Sequence, residues 1–548
     1  MLNNPNVPGD PFSYDLKWII AKLKAHGNSL SVLEGDVSDL KSEIAEYANL
    51  YDYITQAIEI GGLAYVTPEL YGAYGDGLHD DTRAIQTAID TQLPVVFKPN
   101  ANYLVSLPED NINALQLKDG SVLLGNDCTL TLASTDLDRY RIIGARMVNN
   151  IIISDFKIVG DLQHHGGNAG EWGYGISVAG CTNVIIKNCR CSYCWGDGIN
   201  IAATYDLPVN SVMTYNVHVD GCSAHHNRRN GISVEGGEYI YINDTVITNN
   251  VGTSPQCGID VEPSFYDNEG TLLKYEYVDS LYITNCTIKN NAGAAIKIMD
   301  NAASQEGNII LDSLIVNDVA ITSRNDEYGT HVRASNLTIE TAYNYVFDLN
   351  ITNTETDIAV DNLTVRNAAS ANLVLLESKL LGSAHFNNVT VIGPLNRLIS
   401  HVNFDPDDAN GLVINNLDVD SANYISLVSE NKANGGAVVH MAKNIIEKNK
   451  TGWFNVDSIA NMYIYDADAA ANTYIQLPWM YDEYEITVIN ASPRDIRLER
   501  ENANRPNILF NDMTTHHNLS LQNGSVTLKF NNDMGAWIVQ HYTGTLTA

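Results

Sequence analysis

Cations are scarce in this chain: 32 Lys and Arg stand against 65 Asp and Glu, a formal charge of -33 over 548 residues. Such a field repels phosphate backbones and anionic lipid surfaces, so neither nucleic acid nor a membrane surface is an expected partner unless a basic groove is local. Long apolar runs are missing too. No window offers about 18 uninterrupted apolar residues, and the opening MLNNPNVPGDPFSYDLKWII has no cationic start followed by an apolar core. The expectation is a soluble chain with no membrane insertion and no standard secretion signal. Cysteine is confined: six of the 8 lie between Cys181 and Cys257, and none follows Cys286. That distribution argues against a disulfide framework spanning the protein. Cys191 and Cys194 form one CxxC without the second pair that a zinc site needs. The His pairs at 164/165, 225/226 and 516/517 have no further ligand at metal spacing. No metal and no cofactor are therefore expected.

What is present begins with apolar residues at Leu30, Leu33, Val37, Leu40, Ile44, Tyr47, Tyr51, Ile54 and Ile58. The steps alternate 3 and 4, which is coiled-coil spacing. Self-association through this seam is favoured over an amphipathic helix docked on its own domain. The β-branched and aromatic seam residues fit more than two strands, and a homotrimer is expected.

From about Ser121 a different period takes over. Short alternating runs recur as NIIISDFKI, NVIIKNCRC, NVHVDGCSA, YIYINDTVI, LYITNCTIK and NIILDSLIV, with weaker copies at Asp361, Asn387 and Asn415. A second series interleaves with it: GISV at Gly175, GINI at Gly198, GISVE at Gly231, GIDVE at Gly258 and AIKIM at Ala295. Alternating strands joined at Asn or Gly corners, with polar insertions between copies, predict a parallel β-solenoid whose stacked rungs bury one continuous core. Cys189, Cys222 and Cys286 fall at equivalent places in the first series and are expected to fill an internal column. After about Lys450 longer alternations appear, separated by turn signals such as Asn523-Gly524, and predict a small β-sandwich. The expected division is residues 1–62 (helical coiled coil for trimerisation and attachment), 63–445 (β-helix) and 446–548 (sandwich serving trimer closure, glycan binding or both).

Between the heptads and the repeats lies YGAYGDGLHDDTRAIQTAID, Tyr71 to Asp90. Its glycines invite comparison with a phosphate loop and its aspartates with a calcium loop. A Walker loop needs Gly-Lys-Ser/Thr where Leu78 and His79 stand, and an EF-hand needs alternating acids and a closing glutamate, both missing. Asp80 or Asp81 is instead expected to cap the helix that follows, with Gly72, Gly75 and Gly77 turning the chain before it. Gly72, Ala73, Gly75, Asp76, Gly77, Asp80, Asp81 and Thr82, followed by VVFKPNANYLV, resemble the N-terminal signature of the pectate-lyase-like superfamily, which includes phage tailspikes and neck appendages. The resemblance covers roughly residues 65–430. It implies a mainly β protein built on a right-handed parallel β-helix. It also implies a virion location on a phage tail or neck, attachment to tail or neck proteins through the N-terminus, and a bacterial surface polysaccharide as partner. The W-x-D-H tract of pectate lyases and the G-H-G and R-I-K of polygalacturonases are missing, so acid polygalacturonan is not supported as substrate.

The chemistry is expected on the outer face of the second series. In GISVE and GIDVE, Ile232, Val234, Ile259 and Val261 should point inward, leaving Ser233, Glu235, Asp260 and Glu262 outward on adjacent rungs. Carboxylates at rung spacing, ~4.8 Å across strands and ~6.5 Å along one, suit acid–base work on a glycosidic bond, and their repulsion raises at least one pKa. The bland reading is a solvated acidic face. Against it stands the concentration of basic and aromatic residues nearby. Glu235, Glu262, Asp260 and Asp197 are the candidate catalytic groups; Arg228, Arg229, His226, Trp195, Trp172 and Lys297 are the candidate glycan contacts. The expected function is binding and hydrolysis of a surface polysaccharide. A non-catalytic receptor-binding appendage, a lyase using Lys297 or Arg229, and a cell-surface epimerase are the other readings, since a solenoid fold does not fix a reaction.

Overall fold

A computed structural model describes residues 64–547 apart from 110, 205–211, 264–275, 300–305, 323–328, 377–379, 402–410, 420–437 and short stretches beyond 441, together with isolated positions between 52 and 58. The heptad seam expected to drive trimerisation lies outside the described residues, save for those isolated positions.

Alternating runs become strands because the outward residue of each pair is polar or small and the inward one is branched and apolar. Each turn of the chain lays down three strands, and each pairs in parallel with its counterpart one turn later. The first ladder runs through Asn149–Val159, Thr182–Lys187, Thr214–Asp220, Gly237–Asn243 and Val278–Thr284. The second joins the end of Asn149–Val159 to Arg190–Ser192, Ser223–His225, Val246–Thr248 and Thr287–Lys289. The third, which carries the candidate site, runs through Trp172–Ala179, Ile199–Ala202, Ile232–Val234, Ile259–Val261 and Ile296–Met299.

The stacked rungs bury columns of like residues. Ile176, Ile199, Ile232, Ile259 and Ile296 occupy one register and have no exposed surface. Each such side chain stabilises the fold by about 1.5–3 kcal/mol through removal from water. The cysteine column is longer than the repeat alone indicates. Register places Cys128, Phe156, Cys189, Cys222, Thr245 and Cys286 one above another. All eight cysteines are buried and free.

Corners are held by asparagine. Asn150, Asn183 and Asn216 take φ of 59, 58 and 56°, and each amide donates to the one before, at 3.0 and 2.9 Å. Asparagine tolerates this left-handed backbone better than other non-glycine residues, and its side chain links the rungs as well. A second file, Asn227, Asn250 and Asn291, is linked at 3.0 and 2.9 Å.

At the start of the solenoid Gly72, Gly75 and Gly77 all have positive φ, of 97, 64 and 74°. Asp76–Asp80 is a strand paired with Asn102–Val105, and Thr82–Asp90 is the expected helix, burying Ile85, Ala88 and Ile89. The capping expectation divides between the two aspartates. Asp80 accepts from the Thr82 amide at 2.9 Å. Asp81, although it sits at the N-cap, turns its carboxylate back to accept from the amides of Tyr74 and Gly75, at 2.6 and 3.0 Å. Its carboxylate therefore closes the glycine turn instead of the helix.

Beyond Met441 the strands form two further sheets. The longer alternations read as a sandwich beginning at 446 continue the parallel pairing at first. Ile445–Lys448, Met462–Tyr465 and Glu485–Asn490 are parallel neighbours in one sheet, and Trp453–Asn455, Thr473–Gln476 and Ile496–Glu499 in the other. Antiparallel pairing enters with Asn518–Gln522, Gly524–Asn531 and Ala536–Tyr542. Period-two alternation is the same for parallel and antiparallel strands, so the sequence does not distinguish the two pairings. Among the described residues no helix is long and apolar enough to cross a membrane.

Candidate active site on the third ladder

Three successive rungs enter the third ladder through the same four-residue corner. Ile176, Ile199 and Ile232 are in register, so WGYG (Trp172–Gly175), WGDG (Trp195–Gly198) and RRNG (Arg228–Gly231) stand one above another, with Pro255–Gly258 next. The closing glycine is required by the stack. A Cβ on Gly175, Gly198, Gly231 or Gly258 would lie 2.6, 2.8, 2.7 and 2.5 Å from the carbonyl oxygen of the next rung. This is the physical reason for the G in GISV, GINI, GISVE and GIDVE.

The corner delivers Asp197 and Arg229, and the strands after it deliver the other charges. Ser233, Asp260 and Lys297 are in register on the outward side. The amide of Glu235 donates to Ile201 O at 2.8 Å and that of Glu262 to Val234 O at 3.0 Å, so the two glutamates sit on adjacent rungs. Arg229 is the hub. Its Nη1 donates to Asp197 Oδ2 at 3.0 Å, its Nη2 binds Glu262 Oε1 directly and lies 4.0 Å from Asp260 Oδ2, and its Nε is 3.8 Å from Glu171 Oε2. Sharing one guanidinium nitrogen holds the nearest oxygens of Asp260 and Glu262 within roughly 6.5 Å of each other.

The cluster is not a solvated acidic face. Asp197, Ser233 and Asp260 have no exposed surface and Arg229 is 7% exposed. Glu235, Glu262 and Lys297 form a half-buried rim above them. Burial, with Glu262 beside it, pushes the Asp260 carboxyl well above the usual carboxylate range, and Lys297 and Arg229 offset only part of this. Its Oδ2 accepts from Asn230 Nδ2 at 3.3 Å, while its buried Oδ1 has no hydrogen-bond partner among the described residues; Lys297 Nζ is 4.0 Å away. Burial also raises Asp197, although Arg229, the Ser233 hydroxyl at 2.6 Å and the Asn230 amide at 2.8 Å favour its charge. For Arg229 itself burial opposes the charge and Asp197 and Glu262 outweigh it, so the guanidinium stays protonated.

The structure sorts the remaining candidates. Trp172 is exposed, with the Arg139 guanidinium 4.9 Å from its ring. Trp195 is buried with its ring covered by His165 at 3.7 Å and by Arg228 at 3.8 Å, which leaves no face for a sugar. Arg228 is further engaged by Gly170 O at 2.7 Å. His226 belongs to the second ladder's corner, exposed and stacked 5.4 Å from Tyr193. Asp260, read as outward and catalytic, and Asp197, read as a neighbouring catalytic candidate, are both fully buried beneath the rim.

Sequence reasoning missed Asn230, whose side chain reaches Ser233 and Asp260 and accepts the Cys257 amide. Asn200, placed by the sequence at the outward position of the preceding rung, ends a file whose other members were missed: Arg141 Nε donates to Ser177 Oγ at 3.2 Å, Ser177 Oγ to Asn200 Oδ1 at 2.9 Å, and Asn200 Nδ2 to Glu235 Oε1 at 2.9 Å. Tyr174, buried and raised first by burial and then by Glu235 and Asp197, was missed as well. A signal existed, since WGYG and WGDG are visibly one motif with Tyr174 where Asp197 stands. No group of three or more His, Cys, Asp or Glu among the described residues is arranged to hold a metal.

Comparison with known proteins agrees with the geometry. Residues 109–263 match the right-handed β-helix region family. The pre-neck appendage protein of Bacillus phage B103 is 26% identical over 231 residues, covering 39% of this chain and 26% of that protein. The fold is a right-handed parallel β-helix, and over this stretch the chain is similar to phage-appendage proteins. This β-helix protein is also 27% identical to the SPbeta prophage-derived protein YorA of Bacillus subtilis, over 39% of each chain. It is 26% identical to the capsule KN3-specific depolymerase 1 of Klebsiella phage KN3-1, over 27% of this chain and 20% of that one. The matched stretch thus spans well under half the length of these relatives.

Proposed function

We propose that this protein is a virion appendage, seated on the phage tail or neck, that binds a bacterial surface polysaccharide along its third ladder and hydrolyses it there. The observation that carries this reading is the rim pair Glu235 and Glu262, which stand on adjacent rungs at the ~4.8 Å strand spacing and bring two carboxyl groups to one face, as glycoside hydrolysis requires. The surroundings of the two differ. Arg229 is ion-paired to Glu262 and stabilises its carboxylate as nucleophile. Glu235 accepts the side-chain amide of Asn200 at 2.9 Å and is assigned as the acid that protonates the leaving oxygen. Asp260 and Asp197 touch no substrate; they fix Arg229 and set the field around it. Trp172 and Lys297 border the groove as glycan contacts. The capsule-specific depolymerase among the relatives supports the substrate class, and the appendage relatives support the virion location.

The test is incubation of host surface glycan with the parental protein and with Glu235→Gln and Glu262→Gln. The parental protein should generate reducing ends without ultraviolet-absorbing unsaturated product, and each variant should be slower by about 10²-fold or more while still binding glycan. Variants that cleave at the parental rate refute the site. Unsaturated product turns the reaction into elimination, and binding with no product leaves a receptor-binding appendage.

A further inference from the structure

The excursion 160–171, between the strands Asn149–Val159 and Trp172–Ala179, folds back over the WGDG and RRNG corners and touches both. Ala169 O accepts from Trp195 Nε1 at 3.0 Å, Gly170 O accepts from Arg228 Nη1 at 2.7 Å, and Glu171 Oε2 lies 3.8 Å from Arg229 Nε. Its other end is pinned by Asp161, which is 1% exposed. Asp161 accepts from Tyr140 Oη at 2.7 Å and from the Thr135 amide at 3.2 Å, and bonds His165 Nδ1 at 2.8 Å. The same Tyr140 oxygen accepts the Trp195 amide at 2.9 Å.

His165, its side chain 1% exposed, stacks on Trp195 with centroids 3.7 Å apart and planes 18° from parallel, and its Nε2 has no hydrogen-bond partner among the described residues. The Arg228 guanidinium sits 3.8 Å from the same ring centroid. Two flat groups that close to one centroid cannot share a face, so the indole is sandwiched between them. The middle member and one outer member lead to the reactive cluster by covalent chain. Trp195 is two residues from Asp197, and Arg228 adjoins Arg229, whose amide donates to Gly196 O at 3.1 Å. The stack therefore clamps together the two backbone segments that present Asp197 and Arg229.

We infer that His165 is a positioning residue for the Arg229-centred cluster, acting through its stack on Trp195 and Arg228, and that the 160–171 excursion is the brace carrying it. The catalytic consequence rests on the proposed function, whereas the positioning itself does not. The two interactions of His165 separate by substitution. His165→Phe keeps the stack and loses the bond to Asp161; His165→Asn keeps a donor near the Nδ1 position and loses the stack. In the full-length protein, hydrogen exchange of peptides covering 194–198 and 228–231 should accelerate in His165→Asn and stay near parental in His165→Phe, with the strands paired at Ile199 and Ile232 protected in both. On glycan, His165→Asn should lower kcat by about 10- to 100-fold, the size expected when a reacting group is displaced by up to about 1 Å, with KM changed far less, and His165→Phe should restore most of it. Equal exchange in the two variants overturns the positioning role, whatever the activity. Separated exchange with no glycan cleavage by the parental protein keeps the positioning role and sinks the hydrolytic reading.

Discussion

Replacing Asp260 by Asn should stabilise this protein at neutral pH while impairing the site. The carboxyl has no exposed surface, one hydrogen-bond donor at 3.3 Å, an unpartnered Oδ1, and two cations held 4.0 Å off. Burial first, then Glu262, raise its folded pKa. A carboxyl raised in the folded state binds more protons there than in the unfolded chain. Its contribution to stability is therefore complete below the unfolded value, about 3.9, and declines as pH rises toward the folded one. The decline cannot exceed on the order of 1.4 kcal/mol per pH unit, so between pH 4 and pH 7 the accumulated loss is capped near 4 kcal/mol. Asparagine is nearly isosteric, accepts the same Asn230 donor and never ionises. Guanidinium unfolding followed by far-ultraviolet circular dichroism at pH 4, 5.5 and 7 should show the two proteins close at pH 4, with the midpoint of Asp260→Asn pulling ahead as pH rises. A difference that is independent of pH, or a variant that falls behind the parental protein at pH 7, refutes the claim that Asp260 is an uncompensated buried acid.

Two further outcomes test the scaffold under the site. Gly231→Ala puts a methyl 2.2 Å from Ile247 Cγ2 and 2.7 Å from Gly258 O; forcing the rungs apart should cost about 1–3 kcal/mol, and an unchanged unfolding midpoint would contradict the stacked-glycine explanation. Asn183→Ala loses bonds at 3.0 and 2.9 Å and strains a backbone at φ 58°. It should destabilise by about 2–3 kcal/mol, and Asn183→Gly should recover about 1 kcal/mol of that by relieving the backbone; an alanine variant as stable as the glycine one would show that the corner carries no such strain.

The solenoid was legible because its cause is local and repeated. Inward Ile and Val two apart, Asn at left-handed corners and Gly before each third-ladder strand are each dictated by the rung below, so the same letters recur and the period shows. Cys189, Cys222 and Cys286 gave one column away, while Phe156 and Thr245 hid their membership by changing chemistry at constant register. The helix cap was half legible, since sequence spacing cannot tell a carboxylate that faces forward to Thr82 from one that turns back to Gly75. The C-terminal sheets show the same limit, because alternation carries no strand direction.

What the sequence by itself determined is therefore the repeat, its core and the rung positions of Glu235, Asp260, Glu262 and Lys297, all of which follow from counting along alternating strands. Tertiary structure alone decided their environment. Asp260 and Asp197 are buried while Glu235 and Glu262 are not, Arg229 gathers four carboxylates from two rungs and an excursion, and Trp195 is sandwiched instead of free. Burial and charge pairing depend on what folds over a position from a distant part of the chain, and the 160–171 brace, whose near end is 58 residues before Arg229 and 91 before Glu262, leaves no periodic mark in the sequence it covers.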